Sequence, residues 1–257
     1  MRIVQSRQTN PVIAFLPIKA AKPQNNSQSE FLSAIFHELK TPISAIIGLS
    51  EILQQGDVSK DECKEFIDDI NLAAQDLNQL VQDLLDLELK NESNFSVDLS
   101  DKIDAKDVIK RAVKLNYPHA LRRKITIKTE VAENINPINL DVKRLKQIIT
   151  NLISNSIKYS PDNTTITVTA KEAINSNNKK FLKISVKDQG FGMSEEELSL
   201  VFKKYQIFKN PNSHKVDSFG MGLCIVKELV ELQKGEIFLE SKVSEGTDVC
   251  LVFGYDY

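Results

Sequence analysis

The stretch FLSAIFHELKTPISAIIGLSEIL, residues 31–53, decides how the first part of the chain folds. Its apolar residues recur at steps of mostly three and four, which is the spacing of one face of an α-helix. His37 lies beside this stripe with Glu38 next to it, and Pro42 follows five residues on. An interior proline removes a backbone donor and clashes with the preceding turn, so we predict one helix with a kink near Glu38.

A second apolar stripe follows the first after a short turn. The first helix is expected to begin after Ser27 or Ser29, which are good caps, and to run to about Gln55. Ser59 can cap a second helix over Lys60–Leu89, whose apolar residues also recur at steps of three and four. Two such helices form an antiparallel hairpin that leaves much apolar surface in water. Pairing two chains into a four-helix bundle removes that surface from water, so we expect a homodimer; periodicity alone would also fit a simple coiled-coil dimeriser.

The composition is that of an ordinary globular protein. The chain has 257 residues, of which 41% are apolar and 26% charged, and a formal net charge of -2. That charge gives no reason to expect nucleic acid as a partner. No run approaches the roughly 18 apolar residues of a membrane helix, so no membrane segment is expected. The widely spaced Cys63, Cys224 and Cys250 predict buried, reduced thiols in a cytoplasmic protein.

The remaining sequence divides into further segments. We interpret residues 1–28 as a flexible lead-in, 29–90 as the helical domain, 91–104 as a polar linker and 105–257 as a second domain. The expected elements of the second domain are helices over 105–121, 141–159, 194–201 and 219–233, and strands over 124–130, 137–140, 164–173, 181–187, 235–241 and 247–253. These elements predict an α/β sandwich with helices packed over a mostly antiparallel sheet.

One helix face of the second domain carries polar side chains. Asn151, Asn155 and Lys158 fall on the same side of the helix over 141–159. Carboxamide oxygens suit Mg²⁺ and a lysine suits phosphate. A polar outer face without a ligand explains the same pattern equally well.

Two glycine-rich segments follow. In DQGFG, residues 188–192, Asp188 could accept a hydrogen bond from an exocyclic amine such as that of adenine. In FGMGL, residues 219–223, glycines open a helix and could aim backbone N–H groups at a phosphate. Each segment alone could be a turn without a ligand. Residues 201–218 lie between them and have the Lys, Asn, Ser and Pro content of a mobile lid.

Together these segments resemble the catalytic core of a sensor histidine kinase of two-component signalling. FHELKTPISAIIG resembles the phospho-acceptor box and NLISNSIKYSP the N box. DQGFGM and FGMGLCIVKELVELQKGEI resemble the two glycine boxes, VFKKYQIF the phenylalanine box and EGTDVCLVF the closing strand. The resemblance covers about residues 29–254, and five boxes in the family's order are far more specific than any one.

The resemblance implies an ATP-binding domain of the Bergerat fold. Asn155 would hold Mg²⁺ against the phosphates of ATP with Asn151 close by, and Asp188 would bind the adenine amine with Thr247 supporting that edge. The other residues that the resemblance places around the nucleotide are Lys158, Tyr159, Gly190, Gly192, Met193, Gly220, Met221, Gly222 and Leu223.

The resemblance also implies the chemistry of the helical hairpin. His37 would attack the γ-phosphate, and Glu38 would act as the general base. The phosphate would then pass to an aspartate of a response-regulator receiver domain. HELKT resembles the HExxT pattern of bifunctional members, so Thr41 could position a water for dephosphorylating the regulator; a plain helix-surface threonine is the alternative.

Two other functions fit parts of the pattern. One is a dimeric phosphotransfer or docking scaffold that is catalytically weak, and the other is a Bergerat-type ATPase coupled to conformational work. Ser218 stands where the family usually has glycine, which would alter lid hinging. His119 and His214 are expected to be solvated structural residues.

Overall fold

The structure is a computed structural model that describes residues 25–89, 97–99, 102–175, 178–203 and 222–255. The first part is a hairpin of two long helices, α1 (Asn25–Gln55) and α2 (Lys60–Leu89), which pack against each other. α1 begins three to five residues before the predicted start and runs without interruption through Pro42. The predicted kink near Glu38 stays a prediction. Most of the predicted lead-in, residues 1–24, lies outside the described residues.

The predicted cap of α2 is confirmed. The Ser59 hydroxyl accepts a hydrogen bond from the Glu62 backbone N–H at 3.3 Å, and the Glu62 carboxylate accepts one from the Ser59 N–H at 2.9 Å. The two bonds satisfy N–H groups that a helix start otherwise leaves unpaired.

The second domain is built on a five-stranded sheet in the order β2-β4-β5-β7-β6. Only the β2–β4 pair is parallel, so the prediction of a mostly antiparallel sheet is confirmed. The strands are β2 (Thr126–Val131), β4 (Thr165–Ile174), β5 (Lys180–Lys187), β6 (Glu236–Lys242) and β7 (Gly246–Gly254). Alternate residues of the central strands, such as Ile166 and Val168 of β4, are fully buried beneath the helices.

The helices of this domain are close to their predicted positions. α3 (Ala105–Arg122), α4 (Val142–Tyr159) and α6 (Gly222–Leu232) supply the buried apolar residues of the helical layer. α5 (Glu195–Leu200) begins with the predicted capping box of Ser194 and Glu197. The first residues of the last predicted helix, 219–221, and the lid residues 204–218 lie outside the described residues.

One small element contradicts the sequence interpretation. Strand β1 (Lys102–Ile103) pairs antiparallel with β3 (Ile138–Asn139), and the side chain of Ile103 is buried. The sequence interpretation placed residues 102–104 in the linker, where a single isoleucine among polar residues gives no periodic signal. Asp104 accepts a hydrogen bond from the Lys106 N–H and caps α3. These residues therefore pack as part of the second domain.

Two further expectations concern membrane-spanning segments and the state of the cysteines. Among the described residues, no helix has both the length and the apolar character needed to cross a membrane. All three cysteines are free, but only Cys224 is buried. Cys63 and Cys250 are half-buried, because the helical and strand positions that they occupy face partly towards solvent.

Candidate functional site

The carboxylate of Asp188 is held in place immediately after β5. One oxygen accepts hydrogen bonds from the backbone N–H groups of Gly190 at 2.9 Å and Thr247 at 3.0 Å. The other accepts from the Ser156 hydroxyl at 3.0 Å. Burial raises the pKa of Asp188 above its ordinary value, and these hydrogen bonds oppose that rise. The result is a fixed, largely buried carboxylate with one oxygen still able to accept a further bond.

The chain around Asp188 is tied to the neighbouring strands. Gly192 has a φ of +66°, and a Cβ there would collide with the Lys242 backbone carbonyl, so this turn requires glycine. Met193 donates its backbone N–H to the Ser241 hydroxyl at 2.9 Å, and Ser241 also bonds the Thr247 hydroxyl at 2.8 Å. The DQGFGM segment and the start of β7 therefore form one rigid edge.

The predicted polar face of α4 lies against the helical hairpin. Lys158 Nζ is 3.2 Å from the carboxylate of Glu38 on α1. Asn151 is 5% exposed, and its amide oxygen accepts a hydrogen bond from Gln79 of α2 at 3.2 Å. The structure therefore brings two of the three predicted phosphate-site side chains to the hairpin. The alternative of a solvated outer face is wrong for Asn151.

Asn155 lies between these two contacts and faces the start of α6. A Cβ added to Gly222 would lie 3.0 Å from the Asn155 amide nitrogen, so glycine leaves room beside this carboxamide. Leu223, the next residue, is half-buried and packs against the core. Gly220 and Met221, which were predicted to contact the nucleotide, lie outside the described residues.

The three predicted catalytic residues share one turn of α1. His37 is exposed, whereas the Glu38 side chain is 17% exposed where it meets Lys158. The Thr41 hydroxyl donates to the backbone carbonyl of His37 at 3.2 Å. Burial, together with the nearby charge of Glu38, raises the pKa of Tyr159 on α4. The exposed imidazole is thus next to a carboxylate that contacts the ATPase-like domain.

Sequence reasoning missed three residues of this site. Ser156 holds Asp188, Ser241 holds Met193 and Thr247, and Gln79 contacts Asn151. A serine at position 156 interrupts the apolar stripe of α4, and that interruption could have indicated a buried polar partner. No comparable signal marks Gln79, because its contact depends on how the two domains meet.

Of the other two histidines, one can be assessed, and its surroundings differ from the expectation. His119 in the last turn of α3 lies 3.9 Å from the carboxylate of Asp76 on α2, so it is at the domain contact rather than simply solvated. His214 lies outside the described residues.

Two family profiles match separate parts of the chain. The profile for the His Kinase A (phospho-acceptor) domain matches residues 27–92. The profile for the histidine kinase-, DNA gyrase B- and HSP90-like ATPases matches residues 140–256. The order of the two domains agrees with the hairpin and the sandwich described above.

Similar full-length sequences are much longer than this chain. The cell-division control histidine kinases PdhS of Brucella ovis and of Brucella abortus strain S19 are each 29% identical over 246 residues, covering 91% of this chain. The chain spans 23% of the length of these relatives.

Solved structures of low sequence identity share the fold. The histidine kinase AdeS of Acinetobacter baumannii has a TM-score of 0.54 at 20% identity and covers 86% of this chain and 98% of its own. Full-length ShkA in complex with AMPPNP has a TM-score of 0.57 at 20% identity, covering 88% of this chain and 45% of its own. ThkA in complex with the response regulator TrrA has a TM-score of 0.57 at 18% identity, covering 90% and 62%.

Proposed function

We propose that this chain, which belongs to the sensor histidine kinases, transfers the γ-phosphate of ATP to His37 and then to an aspartate of a response-regulator receiver domain. The observation that carries the proposal is the 3.2 Å contact between Lys158 and Glu38. It joins the predicted phosphate-binding face of α4 to the residue beside the predicted acceptor. This face of α4 and the helix that carries His37 can therefore come close to each other.

The nucleotide would lie between Asp188 and the polar face of α4. One Asp188 oxygen accepts from Gly190 and Thr247, and the other accepts from Ser156 alone. The second oxygen therefore has a lone pair left for the adenine amine. Met193 and Tyr159 flank the same region, and Lys158 would contact the phosphates. The structure of ShkA with AMPPNP supports this assignment by fold similarity.

The residues around Asn155 fit a magnesium ion. Its carboxamide is a hard oxygen ligand, and the glycine at position 222 leaves space beside it. Within the described residues no three His, Cys, Asp or Glu side chains cluster as a metal site, so most ligands would be phosphate oxygens and water. When bound, Mg²⁺ would neutralise charge on the phosphates.

His37 and Glu38 divide the chemistry on α1. One imidazole nitrogen forms the N–P bond while the bond from the γ-phosphorus to the bridging oxygen breaks, and ADP leaves. The proton on the other nitrogen passes to Glu38, which is the adjacent carboxylate. The attacking nitrogen needs a free lone pair, so the imidazole reacts in its neutral form.

The hairpin would act within a homodimer. Ile43 and Ile47 lie one turn apart on α1 and are 40% and 52% exposed, and further large apolar residues of α1 and α2 are also exposed. A second copy of the hairpin would cover this surface in a four-helix bundle. The fold shared with ThkA, which was solved with the response regulator TrrA, supports docking of a receiver domain to the same hairpin. Thr41 would position a water that hydrolyses the aspartyl phosphate of the regulator and releases inorganic phosphate.

The first test is phosphorylation of the chain with γ-labelled ATP and Mg²⁺ beside a His37→Gln variant. We expect label that is acid-labile, alkali-stable and absent from the variant. Label that persists in His37→Gln would exclude His37 as the acceptor. Binding of ATP without any label would favour the catalytically weak scaffold, and hydrolysis without label would favour an ATPase that performs conformational work.

The adenine contact has its own test, Asp188→Asn. The new amide oxygen can still accept from Gly190 and Thr247, so the fold should survive, but the carboxylate that accepts from the adenine amine is lost. We expect ATP affinity by titration calorimetry to fall about 10- to 100-fold, as expected for a lost hydrogen bond to a charged group. Ser156→Ala is the matched control and should cost less, since it only loosens the carboxylate. Equal affinity in Asp188→Asn and the parent would place adenine elsewhere.

A further inference from the structure

Among the described residues, the polar contacts between the hairpin and the ATPase domain include four side-chain pairs. Two involve the predicted phosphate site, Lys158 with Glu38 and Asn151 with Gln79, each at 3.2 Å. The other two join the end of α3 to α2, with Arg122 against Asp69 and His119 against Asp76. Ile35 of α1 belongs to the same buried cluster as the ATPase core, and Leu39, Leu80 and Leu84 pack against it.

The first two contacts occupy side chains that a nucleotide would need. The Glu38 carboxylate presents Lys158 with an anionic oxygen, which is what a phosphate would present. Gln79 occupies the Asn151 carboxamide, and Asn151 is 5% exposed. In this arrangement the hairpin and a nucleotide's phosphates compete for the same two residues of α4.

The other two contacts join basic residues of α3 to acidic residues of α2. Arg122 and His119 are the basic residues of the last turn of α3. Asp69 and Asp76 are two helical turns apart on α2, so they share one face and can meet both basic side chains. Arg122 and Asp69 are distinct from the residues that we assign to ATP, Mg²⁺ and the phosphoryl acceptor, whereas Asp76 also interacts electrostatically with Lys158.

We propose that these α2–α3 ion pairs hold the chain in a closed state, in which Glu38 and Gln79 block the phosphate-binding side chains Lys158 and Asn151. This inference rests on the proposed function only in that the domain binds a nucleotide there. The closed state makes the general base and the phosphate lysine neutralise each other. Nucleotide binding therefore favours the open state, and by linkage any change that weakens the closed state tightens nucleotide binding.

The test is a charge swap at Asp69 and Arg122. Asp69→Arg and Arg122→Asp each replace an attraction by a repulsion, and the double variant restores an attraction with the charges exchanged. An ion pair of this exposure is worth at most about 1 kcal/mol, so we expect each single variant to bind ATP about two- to fivefold more tightly. The double variant should return towards the parent. The affinities are measured by titration calorimetry at low ionic strength, where ion pairs are least screened.

The size of the particle provides a second readout that does not depend on phosphorylation. Solution X-ray scattering of the nucleotide-free chain should show a larger radius of gyration for each single variant than for the parent and the double variant. Single variants that bind ATP no more tightly than the parent, or a double variant that resembles the singles, would overturn the closed state.

Glu38→Gln distinguishes the closed state from the kinase chemistry. If Glu38 competes with phosphate for Lys158, this variant binds ATP more tightly and at the same time labels His37 more slowly. Tighter binding with no labelling in any variant would leave the closed state standing and overturn the kinase activity. Weaker or unchanged binding in Glu38→Gln would overturn the closed state while leaving the kinase activity intact, and no ATP binding by any variant would overturn both.

Discussion

The hairpin and the ATPase domain use their apolar residues in opposite ways. Among the described residues, the buried apolar side chains of the hairpin are Ile35, Pro42 and Leu72, whereas most of those of residues 103–253 form a continuous core under the sheet. The hairpin instead exposes large apolar side chains along both helices, namely Phe36, Ile43, Ile47, Ile52, Ile67, Val81 and Leu85.

The difference shows what each region needs in order to fold. The ATPase domain buries a core of its own within one chain, although some large apolar side chains such as Ile174 stay exposed, so its core needs no partner. The helices of the hairpin have a similar spacing of apolar residues, but each helix buries only one side. The remaining apolar surface is available to other molecules. The proposed second copy of the chain would cover this exposed surface, whereas Ile35, Leu39, Leu80 and Leu84 already pack against the core of the ATPase domain.

The largest expected effect compares two phenylalanines. Phe253 of β7 is fully buried, whereas Phe36 of α1 is 69% exposed. Phe253→Ala should lower the free energy of unfolding of the ATPase domain by about 3–5 kcal/mol, because it removes apolar contacts and leaves a cavity. Phe36→Ala should change it by less than about 0.5 kcal/mol.

Alkylation of the buried Cys224 thiol can compare the stability of the ATPase core in Phe253→Ala and Phe36→Ala. Cys224 is 4% exposed within α6, so its alkylation in urea, followed by mass spectrometry of its peptide, reports opening of the ATPase core. The peptides of Cys63 and Cys250 separate by mass and do not interfere. Equal protection of Cys224 in the two variants would mean that the ATPase core is not the independent unit described here.

The next effect concerns two exposed isoleucines. Ile47 on α1 and Ile174 at the end of β4 are 52% and 59% exposed in one chain. In a symmetric dimer each Ile47 is removed from water, and the substitution acts twice. Ile47→Ala should therefore raise the dimer dissociation constant about tenfold or more by sedimentation, at about 0.8 kcal/mol per lost methylene. Ile174→Ala should leave it unchanged; equal effects would place the dimer contact elsewhere.

Local sequence signals predicted the elements of both regions. The recurrence of apolar residues at steps of three and four predicted α1, α2 and α4 to within a few residues of their bounds. The spacing of Ser194 and Glu197 predicted the start of α5. The glycine at position 192 was predicted as part of a tight turn, and its positive φ gives the physical reason. In each case, the information lies within a few residues along the chain.

Long-range contacts were not predictable in the same way. Strand β1 has only two residues and depends on β3, which is 35 positions away in sequence. Asn151 was expected near a metal, but its carboxamide meets Gln79 on another domain. His119 offers no sequence pattern that would indicate Asp76 as its neighbour. These contacts depend on how separate elements pack, and no spacing within one element encodes them.

The smallest effect compares the capping boxes of the two regions. Ser194 accepts from the Glu197 N–H at 3.2 Å at the start of α5, and Ser59 does the same for Glu62 at the start of α2. Ser194→Ala should lower the unfolding free energy of the ATPase domain by about 1 kcal/mol, because the cap lies within a cooperative fold. Ser59→Ala should instead fray only the first turn of α2, visible as faster amide exchange there.

The charge of Glu62 makes the second cap dependent on pH. Hydrogen bonds from the Ser59 hydroxyl and then from its backbone N–H lower the pKa of Glu62, because they favour the carboxylate. The cap's contribution is therefore fully present above the ordinary glutamate pKa and is lost as the pH falls through the lowered value. In Ser59→Ala the pKa of Glu62, followed by carboxyl-carbon NMR, should rise towards its ordinary value. An unchanged pKa would mean that α2 begins without this cap, and the hairpin would then depend on its partners even for the start of its second helix.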